Sequence, residues 1–425
     1  MGVKHLRFGV AFAIIMFSLL VTGSGLMSQV NALDGWSKTY DAPRGGYCGR
    51  LIQTADGGFL MAGNGFPPGH AQTSFLLKTD SLGNQEWWNA TYGGSTARDP
   101  IPTSDGCYMF ITPGIYGNLI KIDASGNQQW RISSSQLFSG CGSAVSLRSL
   151  IRTTDGGYTI AGLRPDDSLT VACFHANGTR KWLNSYPSFY VDSSKDKFIA
   201  QSSDGSYFVV TELHQKDPPY YSVFQLMKID SLGNELWIKT YSGGSSYYHE
   251  PYDVICTNDG GCAIVGEAIA PGTVLKTWLV KTDSDGDLQW SKEYYYGAAG
   301  LTYIHDLAQL TDNGFIMVGR YWVEDEYQVA LVVRMDSSRN LKWSQTYKER
   351  DNVTSFVDSF NSIVETIDGG FALAGNAGAE GELEKWWLVK MDESGAIPEF
   401  TSLPILLLFL MLALFLIVFY KKRVP

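Results

Sequence analysis

One short hairpin, written seven times, constrains this chain more than any other feature. Its clearest copies are LIQTADGGFLMAG (Leu51–Gly63), LIRTTDGGYTIAG (Leu150–Gly162), VICTNDGGCAIVG (Val254–Gly266), AQLTDNGFIMVG (Ala308–Gly319) and IVETIDGGFALAG (Ile363–Gly375), with weaker copies at Ile101–Thr112 and Phe198–Thr211. The turn aspartates are Asp56, Asp105, Asp155, Asp204, Asp259, Asp312 and Asp368, spaced by 49, 50, 49, 55, 53 and 56 residues. Asp-Gly between two apolar runs predicts a tight β-hairpin, because glycine enters the positive-φ region without steric cost.

A second unit alternates with the first. It runs KTDSLGNQEW (Lys78–Trp87), KIDASGNQQW (Lys121–Trp130), KIDSLGNELW (Lys228–Trp237) and KTDSDGDLQW (Lys281–Trp290). RMDSSRNLKW (Arg334–Trp343) lacks the glycine, CFHANGTRKW (Cys173–Trp182) lacks the aspartate, and KMDESGAI (Lys390–Ile397) lacks the tryptophan strand. Each period of about fifty residues therefore carries four short strands and two turns, the signature of a β-propeller blade. The expected fold is an all-β, seven-bladed propeller over residues 33–397. Trp36-Ser37-Lys38-Thr39-Tyr40 matches the outgoing strand Trp237–Tyr241 and has no blade of its own, so it is expected to complete blade seven and close the ring.

Charge is modest. A formal net charge of −10, with no Lys/Arg cluster in the middle of the chain, argues against a nucleic-acid surface. The two ends differ from the middle. Lys4, His5 and Arg7 precede an apolar run from Phe8 to Val21, and Val30-Asn31-Ala32 offers small residues for cleavage after Ala32, so 1–32 reads as a signal peptide. Residues 401–420 are uncharged and mostly apolar, and Lys421, Lys422 and Arg423 follow, which reads as a membrane span with a basic cytoplasmic tail.

Pro398-Glu399-Phe400, then the apolar helix, then the short basic end, resembles the PEF-type C-terminal sorting signal of archaeal surface proteins. The resemblance covers residues 398–423 and implies an archaeosortase-like processing enzyme that cuts near the motif and attaches a lipid; otherwise the helix stays as a single-pass anchor. Either outcome implies an extracellular location at the cell surface, tethered at the C-terminus. The blades, over Trp36–Asp392, resemble more loosely surface propellers with T-x-DGG and K-x-D-x-x-G-x-x-W repeats and the quinoprotein type. Quinoprotein dehydrogenases carry an adjacent Cys-Cys pair in the cofactor site. This chain has none, so no cofactor is carried over. The sialidase Asp-box is similar in its turn but shorter in its spacing, and no arginine triad accompanies it.

The repeated aspartates read as turn residues, because a group found in every blade serves the turn. Asp283, Asp285 and Asp287 are the one carboxylate-rich turn and a candidate Ca²⁺ loop, but the distal bidentate glutamate is absent. The histidines show no zinc spacing. His249-Glu250 and His305-Asp306 are read as equivalent loops of neighbouring blades. Six cysteines are compatible with disulfides in an exported chain, Cys256 and Cys262 being nearest along the sequence. Asn89, Asn177 and Asn352 head glycosylation sequons. Gln53, Arg152 and Glu365, three residues before their turns, are placed at the channel lining.

The most suggestive surface is opposite the Asp-Gly turns. There Tyr247, Tyr248, His249, Tyr252, Tyr303, His305, Tyr321 and Trp322 form an aromatic face on loops of blades five and six. Tyrosine and tryptophan join apolar area to a polar handle, which suits a glycan or a protein partner. The function expected is therefore binding or scaffolding at the cell surface. An extracellular hydrolase or lyase and a structural surface-layer component are the alternatives, and convergence of charged groups at the channel mouth is the mark of an enzyme.

Overall fold

The computed structural model describes residues 35–397 apart from 43–44, 68, 70–71, 92–95, 167, 187–197, 215–220, 244–247, 270–274, 295–301, 324–326, 350–357 and 380–381. The expected signal peptide with its Ala32 cleavage site, the Pro398–Phe400 motif, the apolar run 401–420, Tyr247 and Asn352 lie outside the described residues. Among the described residues no helix is long and apolar enough to cross a membrane.

Seven four-stranded antiparallel sheets follow one another in chain order. Blade seven takes its fourth strand from the start of the chain, β1 (Trp36–Tyr40). Blade one is β2 (Cys48–Gln53), β3 (Phe59–Gly65), β4 (Thr73–Thr79) and β5 (Gln85–Thr91); blade two is β6 (Arg98–Pro102), β7 (Tyr108–Thr112), β8 (Asn118–Ile122) and β9 (Gln128–Ser133). After a single helical turn, α1 (Ser134–Leu137), blade three is β10 (Ser146–Arg152), β11 (Tyr158–Leu163), β12 (Leu169–Phe174) and β13 (Arg180–Tyr186). Blade four is β14 (Ile199–Gln201), β15 (Tyr207–His214), β16 (Ser222–Ile229) and β17 (Glu235–Tyr241). Blade five is β18 (Tyr248–Cys256), β19 (Cys262–Ile269), β20 (Lys276–Thr282) and β21 (Leu288–Tyr294). Blade six is β22 (Thr302–Gln309), β23 (Phe315–Val323), β24 (Tyr327–Met335) and β25 (Leu341–Tyr347), and blade seven begins with β26 (Ser359–Glu365), β27 (Phe371–Ala377) and β28 (Lys385–Met391). Each innermost strand contacts the next, and β26 contacts β2, so the ring is closed.

Burial explains the composition of each strand. β3 and β4 are buried at every position, because neighbouring blades cover both faces, so each carries an uninterrupted apolar stretch, Phe59–Ala62 and Phe75–Leu77. The outer strand β17 alternates between exposed and half-buried positions and carries polar residues between its packed ones.

Closure by β1 occurs in the expected register. Trp36 faces Lys390, as Trp87 faces Lys78 and Trp237 faces Lys228. The Trp36 ring lies on Gly83 of blade one, where a Cβ would come within 2.5 Å of the ring, and the Tyr40 hydroxyl donates to the Gly83 carbonyl at 2.7 Å. Trp237 sits on Gly286 in the same way, with only 2.3 Å to an added Cβ, and Tyr241 donates to the Gly286 carbonyl at 2.6 Å. The glycine of the second motif is thus required twice, by φ values of 73° and 78° and by the ring against it. Arg339 takes that place in blade six at φ 72°, with its guanidinium 5.9 Å over the Trp290 ring.

All seven turn aspartates pair with a cation, and Asp56, Asp155, Asp204, Asp259 and Asp312 also accept the backbone N–H two residues on, as turn residues do. Burial alone raises the Asp56 carboxyl, but hydrogen bonds from Lys78, Thr54 and the Gly58 N–H bring it down to about 2. Blade three lacks the usual lysine, since Cys173 occupies its position, and Lys181 from the neighbouring strand reaches Asp155 instead.

Four of the side chains that stand six residues before a turn aspartate lace the channel. Asp99 accepts from the Leu150 N–H of blade three at 3.0 Å, and Asp253 from the Leu307 N–H of blade six at 3.2 Å. Asp306 accepts from the Ile363 N–H of blade seven at 2.9 Å, and Ser362 from the Leu51 N–H of blade one at 3.3 Å. In blade two the corresponding N–H is missing because the residue is Pro100, and the side chain facing it is Arg50, which has nothing but donors. Arg50 instead bridges Asp99 at 3.5 Å and Asp306 at 3.2 Å, all three being buried. Gln53 and Glu365 are stitches between blades: Gln53 accepts the Ile367 N–H at 3.0 Å and Glu365 the Thr311 hydroxyl at 3.0 Å. Arg152 is exposed.

A chain lacking residues 33–41 should melt well below the full chain, and Trp36→Ala should cost about 3 kcal/mol, as should the internal Trp237→Ala; equal melting curves for Trp36→Ala and the native chain would refute closure by β1. Arg50→Ala strands two buried carboxylates and should cost about 3–5 kcal/mol in urea unfolding.

Candidate functional site

Innermost strands of a propeller need a partner for their channel-side edge, and here a β-bulge turns one extra side chain inward. In blade five the bulge lies between Pro251 and Asp253 and singles out Tyr252; in blade six it lies between Ile304 and Asp306 and singles out His305. Tyr252 and His305 are therefore the equivalent positions, each seven residues before its turn aspartate. Their rings meet edge to face at 6.4 Å. This corrects the sequence reading, which aligned His249 with His305 and put both in loops.

His249 is a core residue on β18, 1% exposed. The Gly243 N–H donates to its Nε2 at 2.9 Å, which places the ring proton on Nδ1, 2.8 Å from the Ser222 carbonyl. Trp278 packs beside the ring at 4.7 Å. His249 is thereby removed from the proposed face. Tyr248 stays exposed, while Tyr252, Tyr303, Tyr321 and Trp322 are half-buried on strands, with Tyr321 packed on the core between blades five and six.

Three residues that the sequence reading did not single out complete the cluster. Glu267 on β19 lies opposite Glu250, and Arg320 on β23 lies opposite Tyr303. The Arg320 guanidinium covers the Tyr303 ring at 4.8 Å. Glu384, between β27 and β28, is raised by burial, with Arg320 acting against the shift. Two carboxylates directly opposite in an antiparallel pair repel each other, so the Glu250–Glu267 pair has no justification in sheet stability.

Protonation in this cluster is held fixed. Burial first, and then Glu267, to which its hydroxyl is hydrogen bonded, drives the Tyr252 hydroxyl far above the ordinary tyrosine range. Burial raises Tyr303 as well, Glu267 adding to the shift and Arg320 opposing it. His305 is pushed down to about 3 by burial, then by Arg320 and Arg50, against the weaker pull of Asp306. Its Nε2 is buried and has no hydrogen-bond partner among the described residues. The cluster therefore offers a neutral imidazole, two phenols, a guanidinium and carboxylates, with His305, Tyr252 and Tyr303 all moved away from neutral pH.

The remaining sequence candidates fall elsewhere. Asp283 accepts the N–H groups of Asp285 at 3.0 Å and Asp287 at 2.8 Å, as Asp80 does in the sister turn, and Asp287 binds Lys239 at 2.5 Å. Among the described residues no three His, Cys, Asp or Glu side chains group as metal ligands. The Asn89 side chain donates to the Gly126 carbonyl at 2.7 Å and so helps pack one blade on the next, whereas Asn177 is exposed in its turn.

No protein-family model matches the chain, and no curated protein does. Solved structures show the fold. The β-propeller domain of the Trilobed protease from Pyrococcus furiosus, titled as having an open velcro topology, aligns at TM-score 0.51 and 9% identity over 83% of this chain and 99% of its own. BBS1N, solved in complex with ARL6DN, aligns at TM-score 0.51 and 8% identity over 86% of this chain and 98% of its own. These likenesses are to the propeller architecture alone.

The half-buried His305, kept neutral with its Nε2 buried, sets the expected pH dependence. Unfolded histidine gains its proton near pH 6.5 and the folded side chain only near 3, so stability is full above 6.5 and falls as the pH drops. Asp358, pushed up to about 6 by burial, contributes in the opposite sense, so the comparison must be between proteins. Between pH 6 and 4 the native protein should lose about 1 kcal/mol more per pH unit than His305→Gln in urea titrations; parallel curves would place His305 in contact with water.

Proposed function

We propose that this protein is a cell-surface binding module that holds a glycan at the channel mouth of blades five and six. The observation that carries the reading is the Tyr252–Glu267–Tyr303–His305–Arg320 cluster. Tyrosine rings offer apolar faces to a sugar, while guanidinium, carboxylate, phenol and neutral imidazole supply donors and acceptors for hydroxyl groups. Acid–base catalysis needs a group whose pKa lies near the working pH, and His305, Tyr252 and Tyr303 are all displaced from it, which favours binding over turnover.

Cell-surface placement rests on the sequence at the ends. The apolar run 8–21 with cleavage after Ala32 exports the chain, and the segment 398–423 tethers it, by lipid attachment at an archaeal PEF-type signal or as a retained span. Asn177 is the exposed sequon for a glycan of its own. A second reading, a lyase-type enzyme, is favoured by one observation, the contact of the Tyr252 and His305 rings beside Arg320.

Binding of the purified chain to immobilised polysaccharides of the cell envelope should weaken about tenfold in Tyr303→Ala and in Arg320→Ala, with melting midpoints near that of the native protein. Equal binding by the variants would move the site elsewhere. Shortened or unsaturated products in the supernatant would replace the binding reading by the enzymatic one.

A further inference from the structure

Six of the seven hairpins share a rule three residues either side of the turn aspartate. The incoming position is Gln53, Pro102, Arg152, Gln201, Gln309 or Glu365, and its partner across the ladder is always aromatic: Phe59, Tyr108, Tyr158, Tyr207, Phe315 or Phe371. These positions serve the joint with the preceding blade. Gln53, Gln201 and Gln309 accept backbone N–H groups from that blade's turn, and Phe59, Tyr207 and Phe315 each meet its outer tryptophan edge to face at 5.9 Å. Blade five departs from the rule at both positions at once, with Cys256 facing Cys262. Two of the chain's six cysteines thus occupy one cross-strand pair, where the neighbouring blades place a glutamine and an aromatic ring.

The geometry of the pair suits a covalent link. The hairpin closes with the Thr257 N–H donating to the Gly261 carbonyl at 3.0 Å, so by the alternation of an antiparallel ladder the next pair, Cys256 and Cys262, is non-hydrogen-bonded. Such pairs bring their Cα atoms to about 4.5 Å, inside the range that a disulfide bridges. Both residues point into the same core between blades four and five. Both are thiols in the structure, with the Cys262 Sγ 3.3 Å from the Thr282 hydroxyl, so a rotation about its side chain separates the two states.

We propose that Cys256 and Cys262 form a cross-strand disulfide that locks the blade-five hairpin when the protein meets a low-molecular-weight disulfide such as oxidised glutathione. Cys256, half-buried, reacts first, its thiolate being the nucleophile. Its thiolate displaces one thiolate from the reagent and forms a mixed disulfide; the Cys262 thiolate then attacks the Cys256 sulfur and releases the second. The two protein thiols lose two protons and two electrons, and the reagent leaves as two thiols. Burial of Cys262, whose thiol is pushed up to about 12, makes the second step slow and faster in alkali.

The test uses the full chain, incubated with oxidised glutathione at mildly alkaline pH, quenched in acid, unfolded and alkylated. Both cysteines lie on one tryptic peptide, Thr240–Lys276. The expected result is that this peptide takes no alkyl group, weighs two hydrogens less than the reduced peptide, and takes two alkyl groups after reduction. The oxidised chain should also melt higher, a rise that Cys256→Ser abolishes. Two alkyl groups without reduction, or glutathione retained on Cys256, would overturn the proposal. A Cys256→Ser chain that still loses free Cys262 to another cysteine would do the same.

Discussion

Everything in this ring depends on how seven bare strand edges are satisfied inside the channel. An innermost strand pairs on one side only, and its other edge presents N–H groups that water reaches poorly. The protein answers with side chains: Asp99, Asp253, Asp306 and Ser362 each accept an N–H of the following blade. Carboxylates are strong acceptors but need a counter-charge when buried, and Arg50 supplies it to two of them. Pro100 fits the same logic, since the one blade whose neighbour offers a donor in place of an acceptor is the blade that has no N–H to satisfy.

The blade pattern was legible because it is local chemistry repeated. A tight turn at an aspartate, a cation that answers it and a tryptophan on the outer strand recur once in every blade. Strand closure was legible for the same reason, since Trp36–Tyr40 repeats Trp237–Tyr241. The mouth of the channel was not. His249 and His305 look alike from the loop side but stand ten and seven residues before their turn aspartates, and counting back from those aspartates pairs Tyr252 with His305. Glu267 and Arg320 each follow the last glycine of their hairpin motif, at a position whose residue changes from blade to blade, and Glu384 comes from a loop; only the ring brings them together.

Burial sorts the aromatic face into two jobs. His249, which reads in sequence as an exposed loop residue, is a hydrogen-bonded part of the core, whereas His305 is kept neutral with one nitrogen unengaged among the described residues. The difference comes from the partners: backbone groups of Ser222 and Gly243 meet both nitrogens of the first, while guanidinium groups surround the second. Like charges at Glu250 and Glu267 weaken the sheet locally, while Arg320 laid on Tyr303 holds the neighbouring pair by a cation–π contact.

The pairing of β1 with β28 has a directional consequence. Trp36, where β1 begins, lies beside Lys390, and β28 runs on into the turn at Asp392–Gly395, so the chain enters and leaves the ring at the same end, the one bearing the Asp-Gly turns. The Tyr252–Arg320 cluster opens at the other end. A tether continuing from residue 397, as proposed above, would pull on the turn side of the disc and leave the cluster facing away from the surface that held it. Blade seven would carry that load through β28, whose full ladder with β1 would resist it in shear.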